Sequence, residues 1–361
     1  MQKFCTDNSQ HHTMRLAYHF MNKSLTVLRL GNSWFSRLVA SIIEAGRTES
    51  YVETVNPSQS DTLHKEIKWS DEKILRREFE KAVRKVLKVL RYGKVKVAVD
   101  CTEEPYWGKD GLYNTRAGVH VKSDESWQYI NLAIVEPKFV PLMSLPYRQI
   151  DDLDNLTIDL LEYLKTLPLK VDLVLFDRGF YHWELIDYLN NFRGKRPWPY
   201  LIFVPKNDAM KRYIQKTEGR LGEFIHEGSH CKKKTKWKPK TKIVICKGVG
   251  KNKKGEPYDW CFATNQKASL NLVRIYRKRW NIETGFRIQD EATIKSKSSH
   301  PLIRYFYHLI SMIIILMWRI HNLKKGHMVF KRFLKCIEQI SLLGVKKKPP
   351  PMVCAQKCKF L

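Results

Sequence analysis

Read as a pattern of apolar and polar positions, the chain moves between helical periodicity and short, mainly apolar runs. Across residues 71–90 the apolar side chains Leu75, Phe79, Ala82, Val83, Val86 and Leu90 recur three and four apart, with Lys and Arg between them. That spacing predicts an amphipathic helix, with Ser70 placed to cap it. Upstream, residues 15–40 show mixed helical spacing broken near Gly31, Asn32 and Ser33, so residues 1–92 are expected to form a helical N-terminal domain. Two compact runs follow at 95–99 (VKVAV) and 171–176 (VDLVLF). They are too short for helices and read as buried strands. Each ends on a carboxylate, Asp100 and Asp177. Further strands are expected at 119–121, 127–135 and 200–204, and helices at 154–167 and 181–192. Strands alternating with helices predict an α/β sheet protein over 93–206.

Residues 207–265 break this rhythm. They include the basic stretch CKKKTKWKPKTK at 231–242 and short strand candidates at 242–246 and 258–263. The segment reads as a strand-rich basic insertion. A tryptophan, Trp237, among lysines that include Lys232, Lys233 and Lys234 points to contact with a phosphate backbone. Helical periodicity resumes at Ala268 and continues through YRKRWNIETGFRIQD, residues 276–290. At about 100° per residue, Tyr276, Arg279, Glu283 and Arg287 fall on one side of that helix. Leu272, Ile275, Trp280, Ile282 and Phe286 lie around or beside them. A charge on such an inward side is costly unless it is partnered. Residues 302–318 are apolar enough to suggest a membrane span. However, the uncharged run from Tyr305 to Trp318 is 14 residues, against roughly 20 for a span. A buried core helix is expected, and no membrane. Residues 266–323 thus complete the sheet domain, and 324–361 read as a basic tail.

Charge changes the picture most. Lys and Arg number 65 against 36 Asp and Glu, a formal net charge of +29 spread along the whole chain. Such an excess on a folded protein calls for a polyanionic partner, with nucleic acid the usual one, and the N-terminal helices are a second candidate for DNA contact. The 8 cysteines form no CxxC pair, which argues against zinc and for reduced thiols in the cytoplasm. The first residues lack the apolar core of a signal peptide.

Asp100, Asp177 and Glu283 together carry the candidate chemistry. Ligand sites in such sheets lie beyond the carboxyl ends of strands, where the two aspartates are placed. Glu283 comes from a helix face that can pack across the same mouth. Three converging carboxylates repel one another and suit a hard divalent cation, Mg2+ with Mn2+ able to substitute. Such a centre can activate a water or sugar hydroxyl and stabilise the leaving oxygen on phosphorus. Glu103 and Glu104 read as loop charges or further ligands, and His120 and His308 receive no role.

The segments VAVDCTEEPYWGK and VLFDRGF, followed by Tyr276, Arg279 and Glu283 at spacings of three and four, resemble the DDE transposases of bacterial and archaeal insertion sequences. The branch is the one marked by a YREK signature. The chain departs from it at the last position, where Asp290 stands in place of Lys. The resemblance spans about residues 100–321. It implies a ribonuclease-H-like catalytic core with an insertion before the Glu-bearing helix. It also implies Mg2+-dependent cutting at terminal inverted repeats, then strand transfer into target DNA. Asp100, Asp177 and Glu283 inherit the metal-binding roles. Tyr276 and Arg279 inherit contacts to DNA phosphates, Lys295 or Arg287 is a substitute for the missing Lys, and Trp280 either supports a displaced base or packs into the core. A homodimer on DNA, with a cytoplasmic, nucleoid-associated location, completes the expectation. A DNA-binding descendant without activity and a nuclease on the same core are the alternatives.

Overall fold

The computed structural model describes residues 41–108, 115–116, 123, 125–191, 197–228, 239–251 and 255–346. The described residues form two compact units, one from 41–82 with 288–346 and the other from 83–287.

Among the described residues, helical turns at 41–48 precede α1 (Val52–Val55), α2 (Pro57–Lys68) and α3 (Glu72–Leu90). The predicted stripe on α3 is buried at every one of its six positions. Its cap differs from expectation. Asp71, not Ser70, accepts a hydrogen bond from Lys73 N at 2.9 Å, because the helix begins one residue later and a carboxylate is the stronger acceptor for an exposed N–H.

The sheet follows as β1 (Lys94–Tyr106), β2 (Thr115–Arg116), β3 (Glu125–Glu136), β4 (Val140–Tyr147), helix α4 (Leu153–Lys165), β5 (Lys170–Phe176), helix α5 (Trp183–Asn190) and β6 (Tyr200–Phe203). Next come helix α6 (Asp208–Lys216), β7 (Leu221–Glu227), β8 (Lys240–Cys246) and β9 (Trp260–Thr264). The order is β2-β3-β1-β5-β6-β9-β8-β7, with β4 paired to β3, nine strands in one sheet. β3 runs antiparallel to β1, while β5 and β6 are parallel to it through the crossovers that carry α4 and α5. The core β4-β3-β1-β5-β6 is the mixed α/β arrangement expected of a ribonuclease-H-like domain. The strands of the basic segment do not form a separate layer. β9 pairs antiparallel with β6, and β8 and β7 continue outwards. Residues 229–238, with Lys232, Lys233, Lys234 and Trp237, and the strand expected at 119–121 lie outside the described residues.

Asp100 does not end its strand, as expected, but stands within β1. The strand continues because its pairing with β3 persists through Tyr106 opposite Glu125. Pairing with β5 stops at Val99 opposite Phe176. Asp100 and Asp177 are therefore the next residues in register, side by side where β5 leaves the sheet.

The chain then forms α7 (Asn271–Tyr276), a 3-10 turn (Arg277–Arg279), α8 (Trp280–Asp290), α9 (Pro301–Lys325) and α10 (Phe330–Lys346). The single helix expected from Ala268 thus starts at Asn271 and tightens at Arg277–Arg279. Three residues at about 120° instead of about 100° advance everything beyond them by roughly 60°, which carries Arg287 out to an exposed position. Helix α9 is long and apolar enough to cross a membrane by length and composition, yet 83% of its apolar window is buried inside the protein. In its own unit it packs on α2, with His64 Nε2 and the Tyr307 hydroxyl 2.9 Å apart. Residues 330–346, expected as part of a tail, are helical because Phe330, Phe333, Leu334 and Ile337 recur at helical spacing and are buried.

Candidate active site

Five side chains, from β1, the end of β5, α7, the 3-10 turn and α8, meet where β5 leaves the sheet. Arg279 is at their centre and is only 5% exposed. Its Nη1 donates to Asp100 Oδ2 at 2.6 Å and its Nη2 to Glu283 Oε1 at 2.7 Å. Nη2 also lies 3.8 Å from Asp177 Oδ1. Its Nε donates to the Tyr276 hydroxyl at 3.2 Å, and that hydroxyl donates to Asp177 Oδ1 at 3.0 Å. Asp100 Oδ1 accepts from Cys101 N at 3.0 Å. One guanidinium therefore gathers the three carboxylates that the sequence singled out, and the phenol orients one of them.

The elements explain the convergence. Tyr276 is buried against Phe203, Phe262 and Trp260, with ring centroids 5.6, 5.2 and 6.0 Å away. These rings come from β6 and β9, so the last strands of the sheet anchor the turn that presents Arg279. Four residues on, Glu283 shares the inward side of α8. That helix is tied to β3 by Asn281 Nδ2 donating to Val135 O at 2.8 Å and by Lys278 Nζ at 3.3 Å from Glu136 Oε1. Gly285 completes the seat, since a Cβ there would strike the ring of Phe139. Helical periodicity puts Lys278, Asn281 and Gly285 on the side opposite Glu283, yet Gly285 is buried and all three meet partners more than a hundred residues away in the chain. Gly285→Ala is expected to lower the melting temperature. Overpacking costs about 1–3 kcal/mol, more than the roughly 1 kcal/mol that alanine gains over glycine in a helix. A thermal melt with an unchanged or higher midpoint would show instead that Phe139 gives way.

Electrostatics follow from burial. Burial pushes the Asp100 carboxyl up to about 7, against the pull of Arg279 and with the neighbouring Asp177 and Glu283 adding to the rise. Burial works against the charge on Arg279, but Tyr276 and the three carboxylates outweigh it and hold the guanidinium above its ordinary value. Burial also raises the Tyr276 phenol, which stays a neutral donor.

The carboxylates fit a hard divalent cation by chemistry, being oxygen donors only. Asp177 Oδ2 and Glu283 Oε2 take no hydrogen bond among the described residues. As placed, Arg279 supplies the positive charge, and no three His, Cys, Asp or Glu side chains among the described residues are close enough to hold an ion. Trp280, next to Arg279, is 48% exposed, and Asp290 is exposed at the end of α8.

Comparison with known proteins places the chain near the transposases. Residues 149–318 match the family model described as Transposase DDE domain. The match covers a little under half of the chain and makes that stretch similar to a transposase DDE domain. The segment that matches as a DDE domain holds Asp177, Tyr276, Arg279 and Glu283. Asp100 precedes it and is brought alongside by the β1–β5 pairing. Among solved structures, that of a piggyBac transposase synaptic complex with hairpin DNA is similar in fold, with a TM-score of 0.58. The likeness covers 88% of this chain and 72% of that one at 13% identity. No curated protein matches the chain.

Proposed function

We propose that this DNA transposase cuts phosphodiester bonds at the ends of its element and transfers the freed 3′ ends to target DNA, using Asp100, Asp177 and Glu283. The observation that carries the reading is the convergence of these three carboxylates, from β1, the end of β5 and α8, around a single guanidinium. Divalent cations held by the three carboxylates, Mg2+ or Mn2+, would activate the attacking water or 3′-hydroxyl and stabilise the leaving oxygen. The residues around them divide the remaining work. Tyr276 fixes one Asp177 oxygen and leaves the other open. Arg279 balances the carboxylates in their present arrangement, the same charge a bound cation supplies. A DNA phosphate engages Arg279 only when Asp100 or Glu283 releases it, and a guanidinium is well shaped for that exchange. The N-terminal helices, the basic segment around Lys232–Lys234 and Trp237, and Arg287 and Trp280 supply further contacts to DNA. Two copies hold two ends together.

The test is a cleavage assay on DNA carrying the ends that flank this reading frame. Nicks at the repeat boundary in Mg2+ or Mn2+, absent in EDTA, followed by joining to a target plasmid, are expected. Binding without any metal-dependent cut would leave a DNA-binding descendant and end the catalytic reading. Cutting without joining would point to a nuclease.

A further inference from the structure

The cations around the candidate active site divide by partner. Lys278 pairs with Glu136, and Arg279 with Asp100 and Glu283. Arg178, Lys206 and Arg277 are exposed and pair with no carboxylate among the described residues.

The fold gathers these three at one rim. Arg178 directly follows Asp177 off β5. Ile202 on β6 is level with Phe176 on β5, so Lys206, three residues past β6, leaves the sheet at the same end. β9 runs antiparallel to β6 with Phe262 opposite Phe203, so Tyr258 and Trp260 enter from that end too.

Aromatic faces then hold two of the cations. Lys206 Nζ is 3.9 Å from the centroid of the Tyr258 ring. The Arg277 guanidinium carbon is 5.9 Å from the Trp260 centroid. Trp260 is fixed in turn by its indole N–H donating to Val249 O at 2.7 Å. Next in the chain, Gly250 has φ +84°, and a Cβ there would strike the Arg277 guanidinium. Exposed Lys and Arg side chains ordinarily gain little from an ion pair. Here aromatic faces fix Lys206 and Arg277, and the capacity of all three cations for charge-assisted hydrogen bonds is unspent among the described residues.

We propose that Arg178, Lys206 and Arg277 form a phosphate track that holds the DNA strand flanking the scissile bond. The inference rests on the reading that DNA enters at this carboxylate site. It adds a positive rim on the β6–β9 side, where successive phosphates meet cations from three separate elements. On the β3 side of the site, by contrast, Lys278 is already matched by Glu136.

Salt dependence of binding tests it. The probe is a fluorescent duplex carrying the element's end, titrated in EDTA so that no cutting occurs. Each lost phosphate contact lowers the slope of log K against log salt by about 0.9. Arg178→Gln/Lys206→Gln/Arg277→Gln should therefore lose about 2–3 from the slope. Lys94→Gln/Lys138→Gln/Lys170→Gln removes the same charge from exposed positions at the opposite end of the sheet, and should leave the slope close to that of the native chain. Should the triple variant fold poorly, the three single variants each lose about 0.9. Equal losses in both triple variants, or no loss in the first, overturn the track. A lower slope with a native chain that never cuts keeps the track and ends the catalytic reading. A native chain that cuts with an unchanged slope does the reverse.

Discussion

Asp177→Asn cuts transposon-end DNA at least about a thousandfold more slowly than the native chain and binds that DNA no less tightly. The substitution keeps the shape of the side chain, and the Tyr276 hydroxyl can still donate to the amide oxygen in the place of Asp177 Oδ1. What is lost, on the proposed reading, is one of the three negative charges that would hold the cations. Several kcal/mol of transition-state stabilisation depend on such a centre, and about 1.4 kcal/mol is a factor of ten in rate. Binding moves the other way because the mouth becomes more positive beside a polyanion. Asp177 is 35% exposed at its side chain, so its desolvation is modest and the fold should survive. Single-turnover cleavage and a binding titration on the same preparation check both parts. Residual cutting within tenfold of native would remove Asp177 from the metal-binding set. Parallel loss of binding would make its role structural.

Arg279→Gln should destabilise the metal-free protein by about 3–5 kcal/mol, the usual cost of removing one partner from a buried ion pair. For a unit of about 200 residues that corresponds to a fall of roughly 6–20 °C in melting temperature. The reason lies in what the guanidinium leaves behind. Asp100 is 16% exposed at its side chain and loses its one cationic partner among the described residues, with Asp177 and Glu283 still near. Divalent cation should restore much of the loss, because it supplies charge to the same three carboxylates. The stabilisation by Mg2+ or Mn2+ is therefore larger in the variant than in the native chain, where Arg279 competes with the ion. Thermal melts with and without metal read this directly. A variant as stable as native in EDTA would show that the carboxylates are satisfied without the guanidinium. A destabilised variant that metal does not rescue would show that the three carboxylates bind no ion.

The candidate site was unusually legible for one reason. Tyr276, Arg279 and Glu283 lie within eight residues of helical chain, so periodicity alone places them together. Asp100 and Asp177 could be singled out because each follows a compact apolar run, and such runs read as buried strands whatever their neighbours. Local periodicity likewise announced the α3 stripe and the apolar character of α9. The resemblance supplied the expectation of a ribonuclease-H-like core.

What the local pattern lacks is any record of pairing. The continuation of β1 past Asp100 depends on β3, a partner about thirty residues downstream. The joining of β7, β8 and β9 to the main sheet depends on β6. The seat of Tyr276, just before the 3-10 turn, is built by rings from β6 and β9. The sequence by itself determined which residue types are available and which short segments are strand or helix, because those follow from side-chain spacing along a single element. Only the tertiary structure decided that Arg279 is the common partner of all three carboxylates, and that Arg178, Lys206 and Arg277 have no carboxylate partner among the described residues. Charge pairing is set by distance in space, and here the partners come from segments up to 179 residues apart.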